Sequence, residues 1–205
     1  DGVRAGKRYA SGLGDSLADV TSAIDSAQSS FATLGYEGEA SLEQVTTRAV
    51  NFGKTFDTDV DSAIQTAAQL VQNGLAVDST QAFDLMTTSF QRVPKAMREE
   101  LPEILQEYGT NFRALGIEGP DAFNMLVAAA GNGKFALDKT GDALKEFTIR
   151  GSDMSKASAD AYASIGLDAQ AMSTAVATGG TVAKDALTQT ANGLLAIEDP
   201  SARAN

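Results

Sequence analysis

The sequence contains no histidine, no cysteine and no tryptophan. Without His or Cys there is no Ser–His–Asp or Cys–His catalysis, no thiolate nucleophile, no disulfide, and no zinc site built on those ligands. Aromatic residues make up only 6% of the 205 residues, so the chain cannot build a thick core around large side chains. Positive charge is also scarce. Sixteen Lys and Arg stand against 27 Asp and Glu, a net charge of −11. A surface that acidic repels phosphate backbones and anionic lipid, which argues against nucleic-acid binding by this segment. No apolar stretch reaches the roughly 20 residues of a membrane span. The longest run without charge, Ala169 to Ala183, is small, polar and broken by glycine. No stretch alternates apolar and polar residues as a half-buried strand does. The chain opens at Asp1 without Met or a signal-peptide pattern, and is expected to be a piece of a longer protein.

What is present is alanine and helical periodicity. Alanine is the best helix former and fills 35 positions, favouring helices that meet in thin contacts. Apolar residues at Leu13, Leu17, Val20, Ile24, Ala27, Phe31 and Leu34 describe one helical face ending before Gly35. Ser41 and Gln44 then form a capping-box pattern. From there Leu42, Val45, Ala49, Phe52, Phe56, Val60, Ala63, Ala67 and Leu70 follow in steps of three and four, a heptad-like seam with one extra step. The pattern predicts one long helix with a buried seam, a surface for self-association, and Gly53 as its weak point. Further helices are expected over 80–92, 102–115, 121–130 and 137–150, punctuated by Pro94, Pro102 and glycines.

The organisation repeats. Leu75 to Met86 aligns with Leu115 to Leu126 at an offset of 40, with Ala82 and Phe83 matched by Ala122 and Phe123. Leu34-Gly35 and Ile165-Gly166 echo the same turn. Each unit is a helix end, a Gly turn, an aliphatic plug, and an acidic residue at the positive end of the next helix. The expected fold is all-α: a succession of helix–turn–helix units of about 40–50 residues, elongated or solenoid-like, with no sheet. Three regions are expected: a leading helix over 1–40, the heptad-like helix over 41–74, and a helical repeat region over 75–205.

Several motifs resemble chemical sites and lack a required part. Gly14-Asp15-Ser16-Leu17 has the wording of a hydrolase nucleophile motif, but there is no His base and the context is a helical face. Asp57, Asp59 and Asp61 begin like a calcium loop, yet the sixth position is Ser62 and the twelfth is Ala68; a solvated acidic face is the simpler reading. Gly131-Asn132-Gly133-Lys134 lacks the earlier Gly and the following Ser or Thr of a phosphate loop. Glu99-Glu100 and Glu103 with Glu107 lie in a charged helical stretch without signs of a cleft. The methionines at 86, 97, 125, 154 and 172 suit core filling. No catalytic residue, metal ligand or cofactor is expected.

Other wording is more specific. The chain carries Val93-Pro94-Lys95, then Glu103 to Gly109 with Tyr108, Phe112 and Leu115-Gly116. It continues with the run from Leu137 to Phe147, and Leu194 to Pro200. Over residues 75–205 this resembles the tail tape measure protein of long-tailed phages, in the branch of actinobacterial phages and prophages. The resemblance implies a long, mostly helical structural virion protein, present in several copies within the tail tube. Its length sets tail length, and it is released ahead of the DNA at infection. It implies a homo-oligomer, a trimer-like helical bundle, with tail tube protein, tail assembly chaperones and tail-tip or baseplate proteins as partners. The implied location is the virion tail, and the host cytoplasm during assembly. No catalytic residue carries over. A soluble helical-repeat scaffold for protein partners is the alternative that the same features allow.

Overall fold

The computed structural model describes Gly12, residues 17–34 and residues 39–199. Among these there are ten α-helices and no strand. They are α1 (Leu17–Phe31), α2 (Glu39–Phe56), α3 (Val60–Gln72), α4 (Ser79–Arg92), α5 (Glu100–Ala114), α6 (Gly119–Ala130), α7 (Lys134–Arg150), α8 (Lys156–Ser164), α9 (Ala169–Thr178) and α10 (Gly180–Leu195), with 3₁₀ turns at Ala32–Leu34 and Lys95–Met97. The fold is all-α, as composition and periodicity require. Packing groups the chain into two compact units, Asp1–Gln106 and Glu107–Asn205. That division differs from the sequence segments 1–40, 41–74 and 75–205, because α1 to α4 share one core although they lie on both sides of residues 40 and 74.

In the first unit α1 packs on α2 and α3, α2 packs on α3 and α4, and α3 packs on α4. Val20, Ile24, Ala27 and Phe31 bury the face of α1 that the spacing of three and four defines. Phe52 is at the centre of a cluster of rings: Phe56 at 4.8 Å, Phe90 at 4.9 Å and Phe83 at 6.3 Å between centroids. Edge and tilted geometries at these distances add to the area buried. Two buried hydroxyls are satisfied within their own helices, Thr46 donating to the Leu42 carbonyl and Thr66 to that of Ser62.

The expected single helix over the seam is two helices. α2 ends at Phe56 because Asp57 adopts a left-handed conformation with φ of +57°. The Thr58 N–H then bonds back to the Gly53 carbonyl at 3.1 Å, the closure usually made with glycine at that position. Asp59 caps α3, its carboxylate accepting from the Ser62 N–H at 2.7 Å. A Cβ on Gly53 would meet the Thr58 carbonyl oxygen at 2.8 Å and Val60 Cγ2 at 2.9 Å, so this glycine lets the turn fold onto α2. At the other end α2 starts at Glu39, so Ser41 lies inside the helix rather than ahead of it.

In the second unit α6 packs on α7, and α9 packs on α8 and α10. Tyr162, Met172, Val176 and Ala186 form a small core flanked by Phe147, Leu167, Ala169 and Ala175. The repeat is visible in the turns. Glycines 74, 116 and 166 all have φ between +60° and +80°, and the residue after each donates to the carbonyl five back. The helices α4 and α6 match at the offset of 40: Ala82 and Ala122, Phe83 and Phe123, Met86 and Leu126 are all buried. The turn glycines, however, match at 42, because Gly74 is followed by three residues before the cap and Gly116 by one. The acidic cap works for Asp78 and Asp168, which accept from Gln81 and Ala171 N–H. Glu118 makes no such bond.

Candidate functional site

Of the expected seam, Leu42, Val45, Ala49, Phe52, Phe56, Ala63, Ala67 and Leu70 are buried within the chain, and Val60 is half-buried. Their partners are the other helices of the first unit. Self-association through this seam therefore requires α2 and α3 to exchange intrachain contacts for contacts with a second copy.

The three aspartates that resembled a calcium loop sit at the α2–α3 turn rather than along one outer helix face. Asp57 supplies the left-handed residue, Asp59 the cap, and Asp61 the first turn of α3, where it accepts from Ser22 Oγ at 3.3 Å. Their positions follow from helix-end chemistry. Beside them opens a cavity of about 490 Å³ bordered by Phe56, Asp59, Lys95, Arg98, Glu99 and Glu103. The Arg98 guanidinium lies 5.4 Å from the Phe56 ring centroid, and its Nε is buried without a hydrogen-bond partner. Carboxylates outnumber cations in the walls, so the cavity does not concentrate anions. Among the described residues no three His, Cys, Asp or Glu side chains come together to hold a metal ion.

The run from Leu137 to Phe147 occupies α7, and its wording has a packing explanation. Leu137 and Leu144 are buried. Between them Gly141 lies against the ring of Tyr108 from α5: a Cβ there would fall 2.3 Å from Tyr108 Cδ2. The Tyr108 hydroxyl donates to Asp142 at 2.8 Å, and Lys139 Nζ donates to the other Asp142 oxygen at 2.7 Å. Asn111 Nδ2 donates to Thr148 Oγ1 one turn further along. Burial, helped by the Asp142 carboxylate, raises the Tyr108 pKa far above its usual value. The Lys139 ammonium holds Asp142 below the usual carboxylate range, with the Tyr108 hydroxyl helping. The arrangement locks a helix pair. Tyr162 has a similar part, donating to the Gly151 carbonyl at 2.9 Å. The sequence signal for Gly141 was present, a glycine in mid-helix, but its partner lies 33 positions away and has no local marker.

Among the described residues the remaining motifs serve turns and surfaces. Gly131 to Lys134 forms the turn between α6 and α7, and Gly133 leaves α7 without a side-chain cap. Residues 14–16 of the hydrolase-like motif lie outside the described residues. Glu103 borders the cavity, whereas Glu107 lies 3.8 Å from Lys145. An apolar groove of about 280 Å³ runs between α7, α8 and α10, with Phe147, Tyr162, Ile165 and Leu194 in its walls. No described helix is long and apolar enough to cross a membrane.

The family model for phage-related minor tail protein matches residues 7–205. A probable tape measure protein of Streptomyces phage phiC31 is 32% identical over 159 residues, which are 76% of this chain and 21% of the relative. The chain thus spans about a fifth of the length of that curated relative. No solved structure matches. An all-α chain of packed helices fits a tail structural role, and by the match over nearly its whole length the chain belongs to the phage-related minor tail protein family.

Proposed function

We propose that this chain is a segment of a tail tape measure: it fills part of the tail tube lumen, contributes to the length that sets tail length, and leaves ahead of the DNA at infection. The observation that carries the reading is the 32% identity to a probable tape measure protein over three quarters of the chain. The physical character of the chain supports it. A helical ruler gains about 1.5 Å per residue when extended. The acidic surface does not retain DNA that passes. Alanine-rich contacts, such as those of Ala183 and Ala186 in α10, open at smaller cost than a thick aromatic core. In this reading several copies associate, and tail tube, chaperone and tail-tip or baseplate proteins are the partners. The chain works in the virion tail, after assembly in the host cytoplasm, and catalyses no reaction.

The test is tail length in the parent phage after in-frame deletion of residues 76–115. Forty extended helical residues span about 60 Å. Tails shortened by about that length support the ruler. Viable phage with unchanged tails overturn it, and point to a compact module or a scaffold.

A further inference from the structure

We propose that the first unit exchanges helices with a second copy of this chain, by straightening the α2–α3 turn into one continuous helix. Every other connection between consecutive helices among the described ones carries Gly or Pro in its sequence: Gly35 and Gly38, Gly74, Pro94, Gly116, Gly131 and Gly133, Gly151, Gly166, Gly179. The α2–α3 connection is Asp57-Thr58-Asp59 and has neither. Its chain reversal depends on Asp57 at φ of +57°, a conformation that costs any residue with a Cβ. No residue of the turn resists a helix as Pro does.

The seam continues through the turn in phase. Phe56 and Val60 are four apart, so Leu42 to Leu70 lie on one stripe if the helix is unbroken. A helix from Glu39 to Gln72 is then about 51 Å long. Straightening separates α1 and α2 from α3 and α4, but the contacts between those pairs need not be lost. The Phe52–Phe90 and Phe56–Phe90 ring contacts join α2 to α4. So does the Arg48–Asp84 ion pair at 3.0 Å. The Ser22–Asp61 hydrogen bond joins α1 to α3. Each can be remade with α3 and α4 of the second copy, whose sequence is identical. The exchange gives up the Thr58–Gly53 closure and the Asp59 cap, and gains ordinary helical hydrogen bonds and release of the left-handed Asp57. Domain swapping is a low-cost route to an oligomer when the exchanged contacts are preserved in this way. It rests on the geometry of the first unit and not on the tail reading, so the two fail separately.

The test uses the full chain, which has no cysteine and accepts spin labels at Gln44→Cys and Gln72→Cys, both exposed positions. Doubly labelled chain is diluted into unlabelled chain, held at high concentration, and separated by size exclusion with light scattering. The expected result is a dimer in which the two labels of one chain are about 42 Å apart, and a monomer in which they are closer. Asp57→Gly favours the left-handed turn and disfavours helix, and lowers the association constant at least about tenfold. Asp57→Ala with Asp59→Ala removes the left-handed tolerance and the cap, and raises it. A dimer whose labels keep the monomer separation overturns the proposal. So does a wild-type chain that stays monomeric at every concentration. If the double variant does not fold, wild type and Asp57→Gly decide the matter alone.

Discussion

The two units reach a folded state by different means. The first is held by large side chains: Phe31, Phe52, Phe56, Phe83 and Phe90 are all buried, and rings touch across α2 and α4. The second is held by close approach. Gly141 admits the Tyr108 ring, Gly116 meets the backbone of Gly180, and Tyr162 ties α8 to the end of α7. Beyond Leu144 its buried apolar residues are Tyr162, Met172, Val176, Ala183 and Ala186. Burial scales with area, so α8 to α10 of the second unit are supported by less apolar surface than the helices of the first. Exposed Phe135, Ile149 and Leu195 belong to it as well. An Ala-rich, aromatic-poor composition therefore does not mean uniformly thin packing: five of the nine phenylalanines are buried in the first unit, and two, Phe112 and Phe123, in the second.

The comparison can be broken most strongly at Phe52. Phe52→Ala removes the ring at the centre of the cluster, and a loss of about 3–5 kcal/mol is expected. Urea unfolding followed by circular dichroism reads it, with the first unit melting early and the second unchanged. Gly141→Ala is expected to cost about 1–3 kcal/mol, since the new methyl collides with the Tyr108 ring and the helices must move apart. Its effect falls on the second unit alone.

High pH sharpens the contrast next. The two buried tyrosines, Tyr108 and Tyr162, both have raised pKa values because burial disfavours the phenolate. A folded-state pKa above the unfolded one contributes stability that is complete below about pH 10 and is lost as the pH rises beyond it. Thermal melts at pH 9, 10 and 11 should show the second unit weakening. Tyr108→Phe should reduce that slope while costing some stability at neutral pH. The smallest effect is expected at Arg48. Its pair with Asp84 is solvent-exposed, and Arg48→Ala should change the stability of the first unit by at most about 0.5 kcal/mol, within reach of a urea titration.

Much of this fold was legible from the sequence. The helices of the middle region were marked by Pro94, Gly116 and the Asp78 cap, which are local and strong signals. The unbroken helix expected over the seam is where the reading departed from the structure. Asp57 does the work usually given to glycine, and the apolar steps pass through the turn without a change of phase, so the period alone could not reveal a break. The repeat was visible as Ala82-Phe83 against Ala122-Phe123. The two extra residues after Gly74 were hidden, because a turn of different length leaves the helix pattern intact. The Tyr108–Gly141–Asp142 lock was not legible as a contact, since tertiary approach between α5 and α7 has no periodic signature. The aspartates at 57, 59 and 61 were read as a solvated helix face, and their place at a turn became clear only from the backbone.

Native-state hydrogen exchange, followed peptide by peptide along the full chain, tests the contrast between the units most directly. The account predicts that α2, α3 and α4 exchange through one shared, most costly opening, and that α8, α9 and α10 open with a lower free energy. Equal protection across both units, or stronger protection in α8 to α10, would contradict it.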